Sequence, residues 1–98
     1  MTIEINKMDR ETVIELSGRL DTTTAPFLDK TISEDISESI NLTLDLKGLE
    51  YISSAGLRVL LSAQKRMNKC GSMKLRNVCE EVMDVFEMTG FADILEFE

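Results

Sequence analysis

The sequence predicts an α/β fold: an open mixed β-sheet of four to five strands with an initial hairpin, packed by amphipathic helices. Three observations carry that expectation. Period-two alternation marks short strands around Ile3 and Ile5, Ile14 and Leu16, Leu42, Leu44 and Leu46, and Met73 and Leu75. Apolar residues recur at helical spacing in Leu28, Ile32, Ile36 and Ile40, in Leu57, Leu60, Leu61 and Met67, and in Val82, Val85 and Phe86. Helical stretches then separate the later strands, and a helix between neighbouring strands makes a parallel crossover, whereas the first two strands are close enough for a hairpin.

In chain order, the hairpin turns at the polar residues 8–11. Gly18-Arg-Leu-Asp21 and a run of threonines lead to Ala25-Pro26, with Pro26 in the first turn of a helix whose Ser, Asp and Glu positions mark a solvated face. The strand at Leu42 to Leu46 switches to a helix between Gly48 and Gly56. That helix spans about residues 54–69, closing with Lys65, Arg66 and Lys69 and followed by Gly71. After the strand at Met73, a short helix stops at Gly90. Phe91, Ile94, Leu95 and Phe97 then supply apolar cover, with a last edge strand optional. The methionines at 67, 73, 83 and 88 read as packing residues.

Composition narrows the function. The 98 residues, 43% apolar and 30% charged, fit one domain over 1–98 with little material for a deep substrate cavity. A net charge of -7 opposes phosphate neutralisation, which argues against nucleic acid and suits a cationic or mixed-charge protein partner. No apolar run reaches the roughly 20 residues of a membrane span, and the N-terminus lacks signal-peptide regions, so the expectation is a cytoplasmic chain without membrane insertion. Cys70 and Cys79 form no CxxC and have no His to join them, which leaves free, partly buried thiols and supports neither a zinc site nor a disulfide framework.

Function is expected in residues 45–62, where small residues join strand to helix. Ser53 or Ser54 is the N-cap, because the opening N–H groups of a helix have no intrahelical partner. A hydrolase reading of Ser54 as an exposed nucleophile fails: the chain has no His, and G-x-S-x-G is missing. Ser62-Ala-Gln-Lys65 matches S-x-x-K only inside the helix, and no phosphate-binding G-x-x-x-x-G-K-[ST] loop occurs. No small-molecule substrate is expected.

Phosphorylation of Ser54 is the other chemistry the residues offer. Ala55 and Gly56 leave the hydroxyl accessible, and a phosphate of about -1.5 to -2 charge is tolerated at a positive helix end, at roughly 0.3–1 kcal/mol. A partner packed there would have to desolvate an unpaired dianion. That costs several kcal/mol and lowers affinity about a hundredfold or more. On spacing alone, the favoured reading is that Ser53 and Ser54 are plain caps.

Residues 46–61, LKGLEYISSAGLRVLL, resemble the D-L-S-x-[VL]-x-[FY]-[IM]-D-S-[ST]-G-L-x-x-L-L segment of STAS domains of the anti-sigma factor antagonist family. Leu16-Ser-Gly-Arg-Leu-Asp21 is similar to that family's L-x-G-x-[LF]-D turn, and Met88-Thr-Gly-Phe91 to its [ML]-[ST]-G-[LF] ending. The resemblance implies a STAS fold along nearly the whole chain and a non-enzymatic role with no metal or other cofactor of its own, since the nucleotide and magnesium of the family's phosphorylation cycle belong to the kinase. Ser54 would be phosphorylated by an anti-sigma factor that is also a serine kinase, with Ser53 as secondary acceptor, and a serine phosphatase would reverse it. Ser53 stands where the family has Asp, Ala55 where it has Ser or Thr, and Arg58 where small residues are common. Asp21 matches the acidic residue of the loop near the phosphosite. The implied partner surface is Asp21, Thr22, Thr23, Ser53, Ser54, Ala55, Gly56, Leu57 and Arg58. Unphosphorylated, the protein would hold the anti-sigma factor and free a sigma factor. The competing expectation is a STAS adaptor subunit, without a phospho-switch, in a lipid-transport or sensory complex.

Overall fold

The computed structural model describes residues 1–35 and 41–98. Strands β1 (Thr2–Met8) and β2 (Glu11–Leu20) form the antiparallel hairpin, with Met8 opposite Glu11. Asp9 in the turn between them adopts φ 45°, the left-handed region that a short polar side chain tolerates. β3 (Asn41–Ile52) pairs in parallel with β2, and β4 (Ser72–Arg76) in parallel with β3, so the sheet order is β1-β2-β3-β4. Helices α1 (Ala25–Asp35) and α2 (Ser54–Cys70) are the two crossovers, and α3 (Glu80–Thr89) precedes a 3-10 turn at Phe91–Asp93.

One sheet face carries the core. Ile14, Leu44 and Leu75 stand side by side across the parallel strands and are fully buried, joined by Leu28 and Ile32 from α1, Leu57, Leu60 and Met67 from α2, and Val82 and Phe86 from α3. Ile36 and Ile40, the rest of the apolar stripe expected on α1, lie outside the described residues. On the other face of the sheet Glu15, Lys47 and Lys74 are exposed, in keeping with period-two alternation.

β3 is longer than the alternation around Leu42 to Leu46 suggests, because it continues through Gly48 to Ile52. Its buried apolar residues run Leu42, Leu44, Leu46, then Leu49 and Ile52, so the spacing changes from two to three. Register shifts against β2 at Glu15/Ser17 and Gly18/Arg19 account for the change, since a bulge re-aims every later side chain. At the first shift the strands come so close that a Cβ on Gly48 would lie 2.6 Å from the Ser17 Cβ.

Asp45 and Gln64 are buried with their hydrogen bonds made. The Asp45 carboxylate pairs with the Arg76 Nε at 3.1 Å and accepts from the Asn77 amide at 3.1 Å and the Lys47 N–H at 3.0 Å. Burial alone would raise its pKa, but the Asn77, Lys47 and Arg76 contacts outweigh that and hold it below the ordinary carboxylate value. Gln64 accepts the Glu96 N–H at 3.3 Å and donates to the Asn68 side chain at 3.0 Å, tying the C-terminal segment to α2.

That segment is cover rather than a fifth strand. Phe97 makes a single parallel bridge to Leu75, and its ring lies 5.9 Å from that of Phe86. One further expectation needs correction. Met88, read as packing, is 86% exposed, because it lies on the solvent side of the last turn of α3, whereas Met67 and Met73 are buried and Met83 half-buried. Gly71 closes α2 with φ 180°, an extended conformation open to any residue, and its N–H caps the Met67 carbonyl at 2.7 Å.

Candidate partner-binding site at the α2 entry

The exit of β2 and the entry to α2 meet at one end of the sheet. Leu20 pairs with Ile52, and the Ser53 N–H donates to the Leu20 carbonyl at 2.9 Å, so the loop after Leu20 is fastened beside the turn into α2. α2 then lies almost directly on these two residues. A Cβ on Gly56 would fall 2.7 Å from Leu20 Cγ and 2.9 Å from Ile52 Cγ1, closer than van der Waals contact permits. Only glycine lets the first turn of the helix seat so low.

Two adjacent serines take different parts there. Ser53 is the N-cap, with φ -99° and ψ 175°; its Oγ accepts the Gly56 N–H at 3.4 Å and its carbonyl accepts the Leu57 N–H at 2.9 Å. Ser54 is the first helical residue and is exposed, while Ser53 is half-buried. The first turn of α2 contains no acidic side chain, so nothing within the helix offsets its positive end.

The adjoining loop is built on Asp21. Its Oδ1 accepts the Thr23 hydroxyl at 2.7 Å, the Thr23 N–H at 3.0 Å and the Thr24 N–H at 3.1 Å. The Thr24 Oγ1 in turn accepts the Asp21 N–H at 2.8 Å and donates to the Arg19 carbonyl at 2.8 Å. The Thr23 hydroxyl, with the Thr24 and Thr23 N–H groups, keeps the Asp21 pKa below its ordinary value, so a charged carboxylate stands at this end of the sheet. Arg19 lies 4.0 Å from that carboxylate and stacks 4.1 Å over the Tyr51 ring, its cross-strand partner.

A STAS domain family model matches residues 2–98. The chain belongs to the STAS domain family. Among curated relatives, it is 27% identical to the anti-sigma-B factor antagonist of Bacillus subtilis over 97 residues, 98% of this chain and 89% of that protein. It is 32% identical to a putative anti-sigma factor antagonist, BtrV, of Bordetella bronchiseptica, over 96% of this chain and 83% of that protein. A crystal structure of an anti-sigma factor antagonist from Mycobacterium paratuberculosis superposes with a TM-score of 0.87 at 24% identity, over 98% of this chain and 83% of that one. These relatives are named for a regulatory binding role and not for a reaction they catalyse.

In this STAS domain Thr22, Thr23, Ser54 and Arg58 are exposed, and Asp21, Ser53 and Ala55 are half-buried. Gly56 and Leu57, expected on the contact surface, are buried: Gly56 seats the helix on Leu20 and Ile52, and Leu57 belongs to the hydrophobic core. Neither the Arg19–Tyr51 stack nor the Thr24 bridge is legible in the sequence. Arg19 and Tyr51 become neighbours only through the shifted β2–β3 register, which no local pattern encodes. Among the described residues, no helix is long and apolar enough to cross a membrane, and no group of three His, Cys, Asp or Glu side chains could hold a metal ion. An open groove of about 640 Å³ on the far sheet face, lined by Glu4, Glu15, Lys47 and Asn77, includes none of the residues around Ser54.

Proposed function

We propose that this STAS domain is an anti-sigma factor antagonist whose binding is switched off by phosphorylation at Ser54. The carrying observation is the division between the two serines: Ser53 is committed to the cap, and Ser54 is exposed at the first position of α2. A kinase can therefore reach Ser54 without opening the cap. The γ-phosphoryl group of ATP passes to the Ser54 oxygen, the hydroxyl proton leaves and ADP is released. Dependence on ATP fits a cytoplasmic setting.

The unphosphorylated form binds an anti-sigma factor, itself the serine kinase, through the helix end at Ser54 and the Asp21 loop. A dianion placed in that contact has to be stripped of its water, which costs several kcal/mol and releases the complex. A serine phosphatase restores binding. The test is to incubate the protein with its cognate kinase and ATP, map the phosphate by mass spectrometry, and titrate both forms against the anti-sigma factor. Phosphate at Ser54 with a roughly hundredfold or greater loss of affinity is expected. Phosphate found only away from Ser53 and Ser54, or equal affinity of the two forms, overturns the reading.

A further inference from the structure

Resting on Ser54 as the phosphorylated residue, we propose that Arg58 is the built-in counter-charge of phosphoserine 54, closing an ion pair along α2 that exists only in the phosphorylated protein. Ser54 and Arg58 are both exposed and stand four residues apart in the same helix, so they occupy one face a turn apart. Helical side chains lean toward the N-terminus, which carries the Arg58 guanidinium back over the turn that holds Ser54. An acidic group N-terminal to a basic one at this spacing is the more favourable order, and a guanidinium meets phosphate oxygens with paired donors.

Arg58 has no competing engagement. Among the described residues Arg19 pairs with Asp21 and Arg76 with Asp45, whereas the Arg58 guanidinium enters no ion pair. Its charge is therefore free in the unmodified protein and taken up in the phosphorylated one. Phosphorylation then changes two features of the surface together: a dianion appears and the nearest cation on that helix face is withdrawn. The charged groups of the adjoining loop, Asp21 and Arg19, are already linked to each other at 4.0 Å. They remain the same in every variant compared.

The test installs phosphoserine at position 54 during synthesis, so that it does not depend on any kinase. The phosphate resonance is titrated by phosphorus NMR in the otherwise unaltered chain and in Arg58→Gln and Arg58→Lys. The second phosphate pKa, ordinarily about 6, is expected roughly half a unit lower in the unaltered chain than in the glutamine variant, with the lysine variant between them and the gap closing at about 1 M salt. Identical titrations of the unaltered and glutamine chains overturn the pairing. Because α2 exposes this side chain, the glutamine variant keeps its fold, checked by its amide spectrum. A kinase that ignored Ser54 would remove the proposed function and leave this result standing, so the two failures are distinguishable.

Discussion

Ser53 and Ser54 differ by one position and by almost everything that matters chemically. The first has extended dihedrals and its hydroxyl oxygen over the Gly56 N–H; the second has entered the helix with its hydroxyl in solvent. Replacing Ser53 by Ala should therefore cost about 1 kcal/mol in urea denaturation, the usual effect of a lost N-cap acceptor. Ser54→Ala should change stability by less than about 0.5 kcal/mol while abolishing the phosphorylated species in mass spectrometry. The serine pair was legible as a cap from its place between strand and helix. Which serine capped was not, since that depends on where the backbone turns from extended to helical.

At the scale of the element, α2 works as a platform whose height is set by Gly56. Its missing side chain leaves room for Leu20 and Ile52, which in turn bring the Asp21 loop against the start of the helix. Gly56→Ala pushes a methyl group into Leu20 Cγ and should destabilise the protein by about 1–3 kcal/mol, read by thermal or urea unfolding. Because Leu20 immediately precedes the loop, the amide signals of Asp21, Thr23 and Thr24 should shift with those of α2. Signals that moved only within α2 would mean that the loop is held independently. The apolar stripe of α2 was visible as a period in Leu57, Leu60 and Met67. The full reach of β3 was hidden, because the bulges interrupt the alternation that marks a strand.

For the whole molecule, Asp45 connects the two parallel strands β3 and β4 away from the proposed contact surface. Its pKa in the folded chain lies below the unfolded value of 3.8, so its contribution is fully present above that value and is lost as pH falls through the lower folded one. Asp45→Asn should be less stable at neutral pH by about 1–3 kcal/mol, with Arg76 left partly exposed and unpaired. As the pH is lowered past about 4, the unaltered protein should lose its advantage and the two stability curves should converge, measured by denaturant unfolding across the range. Curves that stayed parallel would assign the pair no linkage to folding. Nothing in the local sequence singled out Asp45, since its partners Arg76 and Asn77 lie on β4 and just beyond it.

The sequence by itself determined the order of strands and helices, the inward face of each, the strand-to-helix turn that holds the serines, and the family motif around them. These are properties of near neighbours in the chain, where side-chain period and the needs of a helix end act over a few residues. Tertiary structure alone decided which serine is committed to the cap, how close α2 approaches β2, and that Arg19 reaches both Asp21 and Tyr51. Those outcomes depend on strand register and on the contact of Gly56 with Leu20, where residues dozens of positions apart must share the same few ångströms.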